Sequence, residues 1–283
     1  MDIKWFDEDD EREFNVNNID KYTPENNGWL RSLCSDDTKT LYEQIIMSYG
    51  MNRWVHLHPN YNTPFLSMYH ICEKDLSALK TLASIRRSSG RNFKNSDKDN
   101  FSYELITFLE THNQHGSFVR MSHKSTKDGF DKLRPLYTVE DILDALTSSV
   151  KLLKTFVDHN QCLFVMPWTN IDPSREYRVF IIDNRVAAVS QQHCYTSFSY
   201  SDRVEIVRKD VDLILSYYEN NRSKYIDIGY EEVTLDLYVT YDNEVRLIEC
   251  NPPTLWCASG SSLFREHEIL LWKDMNLVDV RIR

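Results

Sequence analysis

Apolar and polar positions alternate most regularly between Thr234 and Pro253. Two runs of β-favouring residues flank Asp242-Asn243 there, the pattern of a hairpin. A turn centred on that pair sets Tyr241 against Glu244 and Asp236 against Glu249, and the strand period of two puts Asn251 on the face of Glu249. A second hairpin, Tyr177 to Ile182 with Arg185 to Gln191, is predicted around Asp183-Asn184, with Arg178 on the face of Phe180 and Ile182. The apolar run Leu163 to Met166 reads as a buried strand leading into Pro167 and Trp168, and Gly116 to Ser122 as a short strand. Three- and four-residue steps predict a helix over Thr138–Val157, opened by a Thr138/Asp141 capping box, and another over Val207–Tyr218. Shorter helices are predicted over 36–49, 74–85 and 101–110, and the segment 263–277 reads as helical and then extended. Arg53 to Phe65, with His56 and His58, reads as loop and strand. Arg86 to Asn100 reads as a mobile loop. Its five bases and two acids are either solvated or placed to meet a phosphate or an acidic partner.

Hairpins with helices set between them indicate an α+β fold. Residues 1–100 are expected to form an N-terminal region with an acidic tail and a basic linker, and residues 101–283 a separate domain. The 283 residues are 41% hydrophobic and 12% aromatic, the composition of a globular chain. No apolar run approaches the roughly 18 residues that span a bilayer, so no membrane partner is expected. The N-terminus lacks the basic start and apolar core of a signal peptide. Six scattered cysteines without a Cys-x-x-Cys pair fit a reducing, cytoplasmic setting and disfavour zinc. A net charge of −10 argues against a nucleic-acid-binding surface overall. Residues 1–27 carry net −6 of it, as a solvated tail or as a docking arm for a basic partner. Dinucleotide, P-loop and nucleophile-elbow glycine motifs are all absent.

Facing like charges destabilise a sheet. Asp236 and Glu249 therefore either point to water at a strand end or hold a cation, and with Asn251 they offer the oxygen-only donors that suit magnesium. If they serve only a cation, removing both leaves the fold intact. Arg120, the polar loop Ser122 to Gly129, the strand end Met166-Pro167-Trp168 and the acidic hairpin together supply what a nucleoside triphosphate requires. Cations meet phosphates, an apolar strand with backbone groups meets adenine, and magnesium bridges phosphate oxygens.

Four ordered motifs resemble the cell division cycle protein 123 family. They are the strand and loop Phe118 to Gly129, Glu176 to Ile181 with Ala188 to Gln191, Leu235 to Tyr238, and Leu247 to Pro252 followed by Ser262-Leu263-Phe264. The resemblance implies a divergent ATP-grasp-like fold, two lobes with antiparallel sheets enclosing a nucleotide cleft. It implies that Arg120 and Lys127 meet the phosphates, Met166, Pro167 and Trp168 the adenine, Arg178 the phosphate end, and Asp236, Glu249 and Asn251 the magnesium. Arg120 stands where the family often has Lys, Glu249 where it has Asp, and Pro167 where it has a polar residue. The implied role is ATP-dependent assembly of translation initiation factor two through its gamma subunit. The alternative is an ATP-grasp ligase that joins a carboxylate to an amine on a protein or RNA acceptor, with Arg178 catalytic in phosphoryl transfer.

Overall fold

The computed structural model describes residues 2–5, 47–60, 66–113, 116–127, 133–153, 161–193, 203–252, 264 and 277–282. In chain order its elements are β1 (Asp2–Trp5), α1 (Met51–Trp54), β2 (Ser67–His70), α2 (Glu73–Ser89), α3 (Tyr103–His112), β3 (Ser117–Met121), α4 (Val139–Ser148), α5 (Val150–Leu153), β4 (Cys162–Pro167), β5 (Glu176–Ile182), β6 (Arg185–Gln191), α6 (Arg203–Asp227), β7 (Val233–Val239), β8 (Val245–Asn251) and β9 (Leu277–Arg281). Short 3-10 segments lie at Val55–Leu57, Asn95–Asn100 and Pro173–Arg175. The chain forms two compact units, Gly50–His56 with Asn60–Asn170, and Met1–Tyr49 with Leu57–Pro59 and Ile171–Arg283.

In the unit built on Asn60–Asn170, a three-stranded antiparallel sheet runs β2-β4-β3. Strand alternation puts Val119, Met121, Leu163 and Val165 on one face, where they share a buried core with Leu79 of α2, Leu105 of α3 and Ile142 and Leu146 of α4. The α4 capping box is as predicted: Thr138 accepts from the Asp141 amide, and the Asp141 carboxylate accepts from the Thr138 amide. The helix predicted to run on to Val157 instead breaks at Ser149, whose backbone turns extended and whose hydroxyl accepts from the Leu152 amide to start α5. Residues 154–157 lie outside the described residues, as do the predicted helix over 36–46 and most of 263–276.

The stretch read as a mobile loop from Arg86 differs most. α2 continues to Ser89 and ends on Gly90 at φ 66°, and Asn95–Asn100 forms a 3-10 turn. Three of its five bases have acids as partners: Arg86 pairs with Asp144, Arg91 with Asp97, and Lys98 with Glu140. Two of those acids sit on α4, more than 40 residues away, so local composition carried no sign of them.

Asp75 in the first turn of α2 is fully buried. It accepts from the Ser102 amide at 2.7 Å, the Ser102 hydroxyl at 2.8 Å, the Tyr69 hydroxyl at 3.0 Å and the Cys72 thiol at 3.0 Å. One carboxylate thus ties β2, α2 and the start of α3 together. Burial, together with Asp75, pushes the Tyr69 hydroxyl up to about 12.

The other unit holds a six-stranded sheet in the order β1-β9-β6-β5-β7-β8. β9 runs parallel to both β1 and β6, and the remaining pairs are antiparallel. The β5–β6 turn is the predicted one, with Asp183 and Asn184 both left-handed at φ 51° and 58°. α6 is longer than predicted and buries Val207, Val211, Ile214 and Tyr218 completely. The extra length comes at both ends, where polar residues hide the helical period but Tyr225 still stacks on Tyr218 at 5.9 Å. Gly229 at φ 79° closes the helix through Gly229 N–H to Ile226 O and Tyr230 N–H to Tyr225 O. The α+β class holds in both units.

Two outcomes follow. Replacing Asp75 by Ala should cost about 2–4 kcal/mol in urea unfolding, because the buried Ser102 amide and hydroxyl lose their acceptor. Burial would raise Asp97, but Arg91 and the Lys94 amide hold it below the ordinary range; Lys98 lowers Glu140, and Asp141, opposed by its own burial, is lowered by Arg134. Depressed acids stabilise fully above their unfolded values, near pH 4, and lose that contribution as pH falls through the folded ones. The melting temperature should therefore hold from pH 7 to 5 and drop below about pH 4, with a shallower drop in Asp97→Asn.

Candidate functional site

The β7–β8 hairpin reaches the predicted pairing by a different route. Its loop has three residues: Thr240 N–H donates to Glu244 O and Asn243 N–H to Thr240 O, with Asn243 left-handed at φ 62°. Tyr241 does not face Glu244; Thr240 does. That shift alone would set Asp236 against Ile248. A β-bulge cancels it, because Leu237 pairs with Leu247 while Asp236 pairs with Glu249, leaving Ile248 as the extra residue. Asp236 and Glu249 do face each other, and Asn251 lies beside them across from Thr234.

Tyr177 points to α6, where its hydroxyl donates to Asp210 at 2.9 Å, so its neighbour Arg178 points to the opposite face. Register then sets one row across five strands: Arg281 on β9, Ser190 on β6, Arg178 on β5, Asp236 on β7 and Glu249 on β8. Arg178 holds Asp236 bidentately, Nε to Oδ1 at 2.8 Å and Nη2 to Oδ2 at 2.9 Å, and both residues are buried. Asn251 Nδ2 donates to the same Oδ2 at 3.1 Å. The cation that two facing carboxylates require is therefore present in the sheet itself, as a guanidinium.

Burial raises the Asp236 carboxyl above its ordinary value, against the pull of Arg178 and with Glu249 and Glu176 pushing the same way. Burial alone would lower Arg178, but Asp236 outweighs it and the guanidinium is raised. A carboxylate has about four acceptor positions. The contacts above use three of those on Asp236 and leave one on Oδ1. Glu249 and Asn251 are half-exposed at the edge strand. These hard oxygen donors fit magnesium, with Glu249 and Asn251 as the accessible pair.

Glu176 and Tyr238 lie in the next row of that face, and His193 Nε2 meets Glu176 Oε2 at 2.9 Å. On the opposite face Asp210 is fully buried against Arg175 and Tyr177. Arg175 Nη1 also donates to Thr240 O at 2.8 Å, which anchors the β7–β8 loop to α6.

The remaining predicted residues belong to the unit with the three-stranded sheet. Arg120 and Met166 share the face opposite the helical core, since Arg120 pairs with Phe164 and Phe118 with Met166. Arg120 is buried, with its guanidinium 5.6 Å from the Trp54 ring centre. Gly50 makes that contact possible: a Cβ there would lie 2.4 Å from the His123 ring, and Met51 N–H donates to Ser122 O at 2.7 Å, docking α1 on the loop after β3. That loop folds back, with Met121 N–H to Lys124 O and the Thr126 hydroxyl to Val119 O. Lys127 is exposed at its end. Trp168 N–H donates to Gly116 O at 3.1 Å, so ladder alternation turns the Pro167 carbonyl toward the β2 edge, two positions beyond the last described β2–β4 bridge at Val165.

Residues 138–282, just over half of the chain, match the model of the D123 family. This chain belongs to the D123 family. A translation initiation factor eIF2 assembly protein from Dictyostelium discoideum is 34% identical over 91 residues, which are 32% of this chain. The chain spans 22% of the length of that curated relative. Cdc123 from Schizosaccharomyces pombe superposes at TM-score 0.62 with 16% identity, over 85% of this chain and 98% of that one. Its C-terminally truncated form gives 0.63 with the same identity and coverage. At that identity the likeness establishes the fold, and this D123 chain has it.

Arg281 was missing from the sequence reading, and Ser190 entered it only within the Ala188–Gln191 motif, without a role. The signal was there in Leu277-Val278-Asp279-Val280-Arg281, where charged residues alternate with valines as on a strand polar on one face. The expectation for the carboxylates also changes. Asp236→Ala leaves the buried Arg178 charge uncompensated and should cost about 3–5 kcal/mol. Glu249→Ala removes a facing like charge and should leave stability within about 0.5 kcal/mol or raise it. Guanidinium chloride unfolding of the two single variants distinguishes the two roles.

Proposed function

We propose that this chain is a magnesium-dependent ATP-binding protein with an ATP-grasp-like site that acts in the cytoplasm as an assembly factor for translation initiation factor eIF2, through its gamma subunit. The observation that carries the nucleotide part is the row in which a clamped guanidinium lies next to two carboxylates and an amide. Family membership and the name of the Dictyostelium relative support the partner. Among the described residues no helix is long and apolar enough to cross a membrane.

In this reading Glu249 and the Asn251 amide oxygen hold magnesium, with the last acceptor position of Asp236 completing the protein's share. Bound magnesium would supply positive charge to the phosphate oxygens. Arg178 faces the phosphate end, oriented by Asp236 so that no side-chain freedom is lost on binding. Arg120, stacked near Trp54, and the exposed Lys127 meet phosphates. Met166 and Trp168 line the adenine, and the Pro167 carbonyl accepts from its amino group. The name of the Dictyostelium relative sets the assembly role ahead of the ligase alternative; a guanidinium fixed to a buried carboxylate is compatible with either.

Magnesium-ATP at about one hundred times its dissociation constant should stabilise the protein by about 2.7 kcal/mol, read as a higher melting temperature. A Glu249→Ala/Asn251→Ala variant should lose the magnesium-dependent part of that shift, measured against its own ligand-free melting temperature. An unchanged shift overturns the metal assignment. The tagged chain should retain the eIF2 gamma subunit from host extract, and a clean negative overturns the partner. ADP release that depends on an added amine or protein acceptor would favour the ligase.

A further inference from the structure

The basic stretch that opens at Arg86 has no part in the nucleotide reading. From Leu76 to Ser96 the chain carries five bases and no acid, and Arg86 and Arg87 stand just ahead of Ser88 and Ser89. Arg87, Ser88, Ser89 and Gly90 are exposed at the last turn of α2. A helix end is where the ladder of backbone bonds runs out, so it opens more readily than the helix interior. Gly90 ends the helix at φ 66°, and the chain beyond it, Arg91 to Lys94, is irregular.

Ser89 stands where a phosphate would meet donors. Its hydroxyl donates to Ile85 O at 2.7 Å and accepts from Arg91 N–H at 3.3 Å. Arg86 lies one turn earlier on the same helix face. Both arginines are held by acids that also hold the chain beyond α2. Asp144 of α4 pairs with Arg86 and accepts from the Phe93 amide at 3.3 Å. Asp97 accepts from Arg91 Nη2 and from the Lys94 amide, each at 2.8 Å. The side chains of Arg86 and Arg91 are 23% and 31% exposed, so water screens both ion pairs and neither is strong. A phosphoserine adds about two negative charges and three strong acceptor oxygens, and it competes with a single carboxylate for either guanidinium. Its charge also repels the two acids and meets the negative end of the α2 dipole.

We propose that Ser89 is a phosphorylation site for a protein kinase that reads arginines on the amino side of its target, and that the phosphate draws Arg91 and Arg86 from Asp97 and Asp144 and frees the chain between Gly90 and Asp97. Arg86 and Arg87 lie three and two residues ahead of the acceptor, a charge pattern that suits an acidic substrate groove. In the transfer, Ser89 Oγ attacks the terminal phosphorus of the kinase's magnesium-ATP. The new O–P bond forms as the bond to ADP breaks, and the hydroxyl proton passes to the kinase's catalytic aspartate. No residue of the charged sheet row takes part, so the site stands apart from the nucleotide reading.

The test treats the folded full chain with magnesium-ATP and the catalytic subunit of cyclic-AMP-dependent protein kinase, an arginine-directed enzyme, and locates the phosphate by tandem mass spectrometry. One phosphoryl group per chain is expected, on Ser89. Ser89→Ala should lose it and Ser88→Ala should keep it. Arg87→Gln, at an exposed position, should slow the transfer about tenfold, the loss of one charge-assisted contact, with the melting temperature unchanged. In the phosphorylated chain, hydrogen exchange at the Phe93 and Lys94 amides should quicken severalfold as their acceptors move away. No incorporation, equal incorporation in Ser89→Ala, or incorporation only above the melting transition overturns the site. Phosphate on Ser89 with exchange unchanged at Phe93 and Lys94 overturns the release.

Discussion

The contact between Arg178 and Asp236 is the constraint on which the large sheet depends. Two ions removed from water demand each other, and removing either leaves the other unsolvated. Their two short bonds fix the relation of β5 to β7, and the β8 bulge then brings Glu249 into line. Apolar residues could pack these positions at no loss of stability. The pair is better understood as a device for orientation, presenting a guanidinium of fixed attitude beside oxygen donors that remain half-open.

Around it the unit is organised as two chemical faces of one sheet. Tyr177, Asp210 and Arg175 bind one side to α6 and to the β7–β8 loop. Burial beside Asp210 pushes the Tyr177 hydroxyl far above its ordinary value, so it stays a donor at any physiological pH. The other side carries the charged row. A rigid helix-backed face behind a polar one is the arrangement that lets a site keep its geometry before a ligand arrives.

Much of this was legible in the chain, for reasons that differ by element. The hairpin at Asp183-Asn184 could be read because few residues adopt left-handed backbone there, and the α4 cap because its partners are three residues apart. The facing of Asp236 and Glu249 was correct although both the turn and the ladder were off by one; a residue added in the bulge offset one absorbed by the loop. Sequence alone shows the period of a strand but not where it skips. The charge balance of Arg86 to Asn100 misled for another reason. Arg86 and Lys98 find their acids on α4, and local composition cannot report a partner brought in by tertiary folding. Local alternation could place Arg281 on a polar strand face, but its row with Ser190 and Arg178 is set by the β6–β9 register, which no local pattern encodes.

The position of β9 has a consequence for biosynthesis. It lies between β1 and β6, so strands from opposite ends of the described chain are neighbours, joined by contacts of very long sequence separation. Such closure is slow, and during translation it cannot occur until residue 281 has cleared the ribosome exit tunnel. Until then β6 presents an open edge, the kind that pairs with other chains, and β9 is the strand that covers it.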